Sequence, residues 1–163
     1  MSQILQFLRG GGTDHKNRTL DLILASDDVF LEEEHDYIQW LFPLKEPSAN
    51  VLDAPVITDG EVLLAQSDKI IRKNMQKSLD RMILFYRNNN HWLKPKEHNH
   101  LRITRILKST AMILSEEEAE RFYDFIMDTV CNSVVEILPS HVTYWTDAVR
   151  LSFDESVRQI RGL

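Results

Sequence analysis

The series Ile71, Met75, Leu79, Met82 and Tyr86 advances by three and four residues at a time, and no other feature so narrows what the chain can fold into. On an α-helix these positions share one side, whereas a strand would send alternate members to opposite faces. The same step recurs in Ile103, Ile106, Leu107, Thr110 and Leu114, and in Ala119, Phe122, Tyr123, Ile126, Val130 and Val134. It continues through Val142, Trp145, Val149, Phe153, Val157 and Ile160. Strand-like alternation is scarce. The pattern predicts an all-α fold, a single-domain bundle of about seven or eight helices. At 163 residues and 43% hydrophobic composition, the chain is long enough to bury one sizeable core.

Local signals place the ends of these helices. A first helix over residues 3–9 stops at Gly10-Gly11-Gly12, which hold a helix poorly. The following Thr13-Asp14-His15-Lys16 does not complete a phosphate-binding loop, so this stretch reads as a linker. Leu20, Ile23 and Leu24 make a small apolar face. Asp27 then caps a predicted helix over 27–41 that buries Phe30, Tyr37, Ile38 and Leu41 and stops at Pro43. Prolines 43, 47 and 55 mark an extended loop over 43–57. Thr58 with Glu61 and Ser115 with Glu118 have capping-box spacing, and Leu138-Pro139 and Ser140 mark the passage into the last helix.

A net charge of -6 argues against general attraction to nucleic-acid phosphates or anionic membranes, so no nucleic-acid partner is expected. No apolar run reaches the length of an integral membrane segment, and the N-terminus has no secretory-signal pattern, so the expected location is cytoplasmic. The lone Cys131, among Val130, Val134 and Val135, reads as a core residue in a reducing compartment. Its pairing with His141 as a thiol enzyme is the less economical reading. No nucleophile elbow, HExxH or paired-cysteine motif is present, and no cofactor or metal is expected.

Two strings are specific enough to suggest kinship: His35-Asp36-Tyr37-Ile38-Gln39-Trp40-Leu41-Phe42-Pro43-Leu44 and Asn99-His100-Leu101-Arg102-Ile103-Thr104-Arg105-Ile106-Leu107-Lys108. Both resemble the opioid growth factor receptor conserved domain. Residues 50–57 with Ala54-Pro55, the Phe85-Tyr86 pair and residues 118–125 follow in that family's order, so the resemblance covers about residues 7–126, with additional helices over 127–163. Arg87 follows Phe85-Tyr86 where the family usually has glycine. The resemblance implies a binding protein without a catalytic motif. The vertebrate member is described as a nuclear-envelope-associated receptor for the opioid peptide Met-enkephalin, with a long tail beyond this domain. This chain is expected to be a short stand-alone member.

The expected partner is therefore a peptide or protein ligand, in a groove near the helix end bearing Tyr37, Gln39 and Trp40 and the helix bearing His100, Arg102 and Arg105. Tyr37 and Trp40 equally suit a plainer role, anchoring the proline-rich loop on the core, while a buried Gln39 must fix either loop backbone or ligand. Residues 94–108 carry Lys94, Lys96, His98, His100, Arg102, Arg105 and Lys108 against Glu97 alone. They suit an anion- or small-molecule-acting enzyme site built on His98, His100, Arg102 and Arg105. They equally suit pairing of Arg102 and Arg105 with Glu32, Glu33, Glu34 and Asp36. A third reading is a scaffold that self-associates through an exposed apolar patch.

Overall fold

A computed structural model describes residues 1–161, with side chains described over 1–150. Its elements are α1 (Gln3–Leu8), α2 (Leu20–Ala25), α3 (Asp28–Glu33), α4 (Ile38–Leu41), α5 (Asp59–Ser67), α6 (Lys69–Asn88), α7 (Asn99–Ile113), α8 (Glu116–Cys131) and α9 (Pro139–Arg161). Among the described residues, β-structure is confined to isolated bridges, so the all-α expectation holds. Contacts group the chain into two units, Met1–Phe85 and the residues from Tyr86 on, and the boundary falls inside α6.

In the first unit, α1 ends in a Schellman motif. Gly11 N–H donates to the Gln6 carbonyl and Gly10 N–H to that of Phe7. Gly10 sits at φ 82, a region that disfavours side chains. The amide of Asn74 on α6 donates to the Leu8 carbonyl at 2.9 Å, satisfying another free carbonyl of that helix end. The predicted stripe on α6 is buried throughout: Ile71, Met75, Leu79, Met82 and Tyr86. At the start of α5, Thr58 and Glu61 close both arms of the capping box.

The helix predicted over 27–41 is in fact two, α3 and α4, separated at Glu34, which is extended (φ -83, ψ 131). Asp27 caps α3 as expected, accepting from Phe30 N–H at 2.8 Å. A side chain spans the break. Tyr37 turns back so that its hydroxyl donates to the Leu31 carbonyl at 2.9 Å, near the end of α3. Tyr37, Ile38 and Leu41 are buried as predicted, while Phe30 is half-buried.

In the second unit, α7, α8 and α9 pack against one another. Ile103, Ile106, Leu107, Thr110 and Leu114 of the predicted stripe are buried, as are Ala119, Phe122 and Ile126. Two expectations fail on α8. It stops at Cys131, where Asn132 Nδ2 donates to the Asp128 carbonyl and Ser133 Oγ to that of Val130, each at 2.8 Å. Val134 is fully exposed, and Cys131 is an exposed helix-end residue and not a core one. The last helix begins at Pro139, whose missing N–H suits the first helical position, so Ser140 lies inside it and is not its cap. On α9, Trp145 is buried and Val142 and Val149 are half-buried; Phe153, Val157 and Ile160 lie outside the residues whose side chains are described. Among the described residues, no helix is long and apolar enough to cross a membrane.

Candidate functional site

The segment read as a linker is a built loop. Thr13 and Thr19 form a bridge across it, and Asn17 adopts the left-handed conformation that asparagine tolerates (φ 61). The buried carboxylate of Asp14 organises the turn: Oδ1 accepts from the backbone N–H groups of Lys16 and Arg18, each at 2.9 Å. Its Oδ2 accepts from Arg18 Nε at 2.6 Å. An aspartate that replaces backbone turn bonds in this way fixes the side chains on either side of it.

Those side chains meet the first family-like string. The Arg18 guanidinium donates to Glu34 at 3.1 Å and Asp36 at 2.7 Å, and lies over the Phe30 ring. Lys16 Nζ lies 2.8 Å from Glu34 and 2.7 Å from Asp36. Trp40 is buried, edge-on to Phe7, and its Nε1–H donates to His15 Nδ1 at 3.0 Å. Because the indole nitrogen can only donate, His15 Nδ1 is bare and the ring proton sits on Nε2, 3.1 Å from Asp36 Oδ2. Burial alone would push the Asp36 carboxyl upward. The hydrogen bonds and charges of Lys16 and Arg18 outweigh it and hold the group down at about 2. The same contacts raise Lys16.

Gln39 is also buried. Its amide nitrogen, oriented as the surrounding carbonyls require, donates to the His35 and Asp36 carbonyls at 3.2 Å each. Of the two roles open to it, the structure displays the backbone one. In the first string, Gln39 thus bonds the string's own backbone, Asp36 and Trp40 bond residues of the 15–18 stretch, and Tyr37 bonds Leu31. The acids at 34 and 36, expected opposite Arg102 and Arg105, take Lys16 and Arg18 as partners.

The second string lies in the second unit. His100 is buried without residual exposure, and its Nε2–H donates to the Trp92 carbonyl at 2.9 Å. Trp92, itself buried, donates through its indole N–H to the Tyr86 carbonyl at 3.3 Å. Arg102 is buried and donates to Asn99 Oδ1 at 3.2 Å, while Arg105 is half-buried. His98 is exposed and its Nδ1 pairs with Glu97, whose carboxylate also accepts from Asn99 N–H at 2.7 Å. Burial lowers the His100 imidazole from its ordinary 6.5, against the opposing bond to Trp92.

Tyr37, Gln39 and Trp40 therefore belong to one unit, and His100, Arg102 and Arg105 to the other. The sequence reading passed over Asp14, His15, Lys16 and Arg18. The one local clue to them is the Asp-x-x-Asn-Arg order, which suits a side-chain-closed turn. Trp145, expected and found on the inner face of the last helix, makes a contact that its position did not signal: its indole N–H donates to the His100 carbonyl at 3.1 Å.

The family model for the opioid growth factor receptor (OGFr) conserved region matches residues 24–91 and 86–160, taking in α9, where no familiar string had been found. The 13–19 loop precedes the matched span. The mouse opioid growth factor receptor is 36% identical over 140 residues, covering 74% of this chain and 22% of the relative. Its human counterpart is 34% identical over 140 residues, covering 74% and 20%. Mouse opioid growth factor receptor-like protein 1 is 30% identical over 139 residues, covering 74% and 30%. The chain thus spans between a fifth and a third of the length of these curated relatives. No solved structure matches. A family match that reaches across both units leads to one conclusion: the chain belongs to the opioid growth factor receptor conserved-region family.

Proposed function

We propose that this chain is a binding module that takes a peptide or protein ligand, as the names of its relatives suggest. One observation carries the reading: the polar side chains of both family strings are engaged internally, Tyr37 with Leu31, Trp40 with His15, His100 with Trp92 and Arg102 with Asn99. Groups used in this way hold a scaffold in shape, and recognition falls to the surface that the scaffold presents. Among the six candidate residues, Arg105 keeps solvent-facing surface, and it is the one we assign to ligand contact. Of the other five, Tyr37, Gln39 and His100 hold backbone carbonyls, and Trp40 and Arg102 hold the side chains of His15 and Asn99.

The test is calorimetric titration with Met-enkephalin and with a scrambled pentapeptide. Tryptophan fluorescence is a poor direct reporter because Trp40, Trp92 and Trp145 are all buried. Micromolar or tighter binding that depends on peptide sequence supports the reading, and equal heats from both peptides remove the opioid ligand. Arg105→Ala should weaken binding more than it lowers stability, whereas Arg102→Ala should lower stability by about 1–3 kcal/mol, because it strips a bond from buried Asn99.

A second reading, an anion- or small-molecule-acting enzyme using His98, His100, Arg102 and Arg105, draws support from the lowered His100. Against it stands the burial of His100 and Arg102, which leaves a substrate no direct approach to either. Titration with phosphate and citrate, giving heat that Arg105→Ala abolishes, would favour it.

A further inference from the structure

The second unit contains a polar atom that its packing leaves unanswered. His100 donates from Nε2 to the Trp92 carbonyl, which fixes the ring proton there and leaves Nδ1 as a bare lone pair. That Nδ1 is buried with no hydrogen-bond partner among the described residues. Over the same ring lies α9: His141 at 4.6 Å between ring centroids and Trp145 edge-on at 5.6 Å. Trp145 also donates to the His100 carbonyl, so α9 grips this one residue by two rings and a hydrogen bond.

We propose that His100 is a proton-binding switch: taking a second proton on Nδ1 releases α9 from α7 at that point. A proton on Nδ1 would place a full charge where no acceptor waits, a costly state in a dry interior. The titratable groups facing the ring are His141 from α9, and Glu97 and His98 from the segment leading into α7. His141 and His98 oppose a charge on His100; Glu97 and the Trp92 carbonyl favour it, and burial outweighs them, so the group lies below its ordinary 6.5. The sign follows from linkage. A histidine whose folded value is depressed contributes stability that is intact above the unfolded value and is lost as pH falls through the folded one. Moving α9 aside brings water to Nδ1, so the proton and α9 compete for one face of the ring.

The experiment follows the imidazole nitrogens and the Trp145 indole N–H by nuclear magnetic resonance, from about pH 7.5 down to about pH 4.5, a range in which most carboxylates remain ionised. At the upper limit His100 should show a protonated Nε2 and a bare Nδ1. On acidification, Nδ1 should take up its proton with the midpoint, below 6.5, at which the Trp145 signal moves to a solvent-exposed position. The proposal is overturned if Trp145 stays in place while His100 protonates, if neither changes down to pH about 4.5, or if the Trp145 transition follows His141 alone. His100→Gln keeps an N–H for the Trp92 carbonyl and removes the proton site, and it should flatten the Trp145 transition. Should that variant not fold, His141→Gln decides: the transition should persist and move to higher pH, and its disappearance would refute the switch.

Discussion

The two units bury polar side chains in opposite ways. In the first, Arg18 meets Asp14, Glu34 and Asp36, and Lys16 and His15 complete the set, so that each buried charge has a partner of the other sign. In the second, His100 is buried as a neutral ring with one nitrogen answered and the other bare. A paired cluster fixes a loop in one place and resists change until a partner is removed. An unanswered nitrogen leaves a route to change that needs only one proton. The first arrangement suits a scaffold and the second a moving part.

The contrast breaks most violently at Arg18. Arg18→Ala would leave the buried Asp14 carboxylate without its ion-pair partner and strip one of the cations from Asp36, and chemical denaturation should show a loss of about 3–5 kcal/mol. A loss under about 1 kcal/mol would mean that water or rearranged lysines can replace the guanidinium. Two tryptophans sharpen the comparison. Trp145→Phe removes a bond to the buried backbone at His100 and should cost about 1–3 kcal/mol. Trp40→Phe frees the Nδ1 of His15, a partly exposed ring that water can reach, and should cost less, about 1 kcal/mol. The reverse order would contradict the distinction. At the far end of the scale, Cys131→Ser should change stability by no more than about 0.5 kcal/mol, since the thiol is exposed at the end of α8. A large loss would restore the core reading drawn from its valine neighbours.

The long helices were legible because their stripes are long. Across α6, α7 and the first half of α8, each position of the predicted stripes is buried or half-buried, and burial of this kind is what periodicity reports. The α3–α4 break was not legible: residues 27–41 contain neither proline nor glycine, and the groups that bond around the break are Arg18, Lys16 and the Tyr37 hydroxyl. Partners that lie 16 to 21 residues away in sequence leave no periodic mark. The early end of α8 did have a signal in Asn132-Ser133, which the valines on either side masked. His100 illustrates the limit for sites. Among lysines and arginines it reads as part of an exposed basic patch, and only the packing of Trp92 and Trp145 around it shows a buried ring.

The claim that the first family string spends its charge on the 13–19 loop is tested most directly at Asp36, by following its side-chain carboxyl carbon through an acid titration. Its folded value is depressed, so its contribution to stability is intact above the ordinary 3.8 and is lost as pH falls toward about 2. A midpoint near 2 in the intact chain, returning toward 3.8 in Arg18→Ala or in Lys16→Ala if the former does not fold, is the result this account predicts. A midpoint near 3.8 in the unaltered chain would show that Lys16 and Arg18 do not hold Asp36 in solution, and the scaffold reading of the string would fall with it.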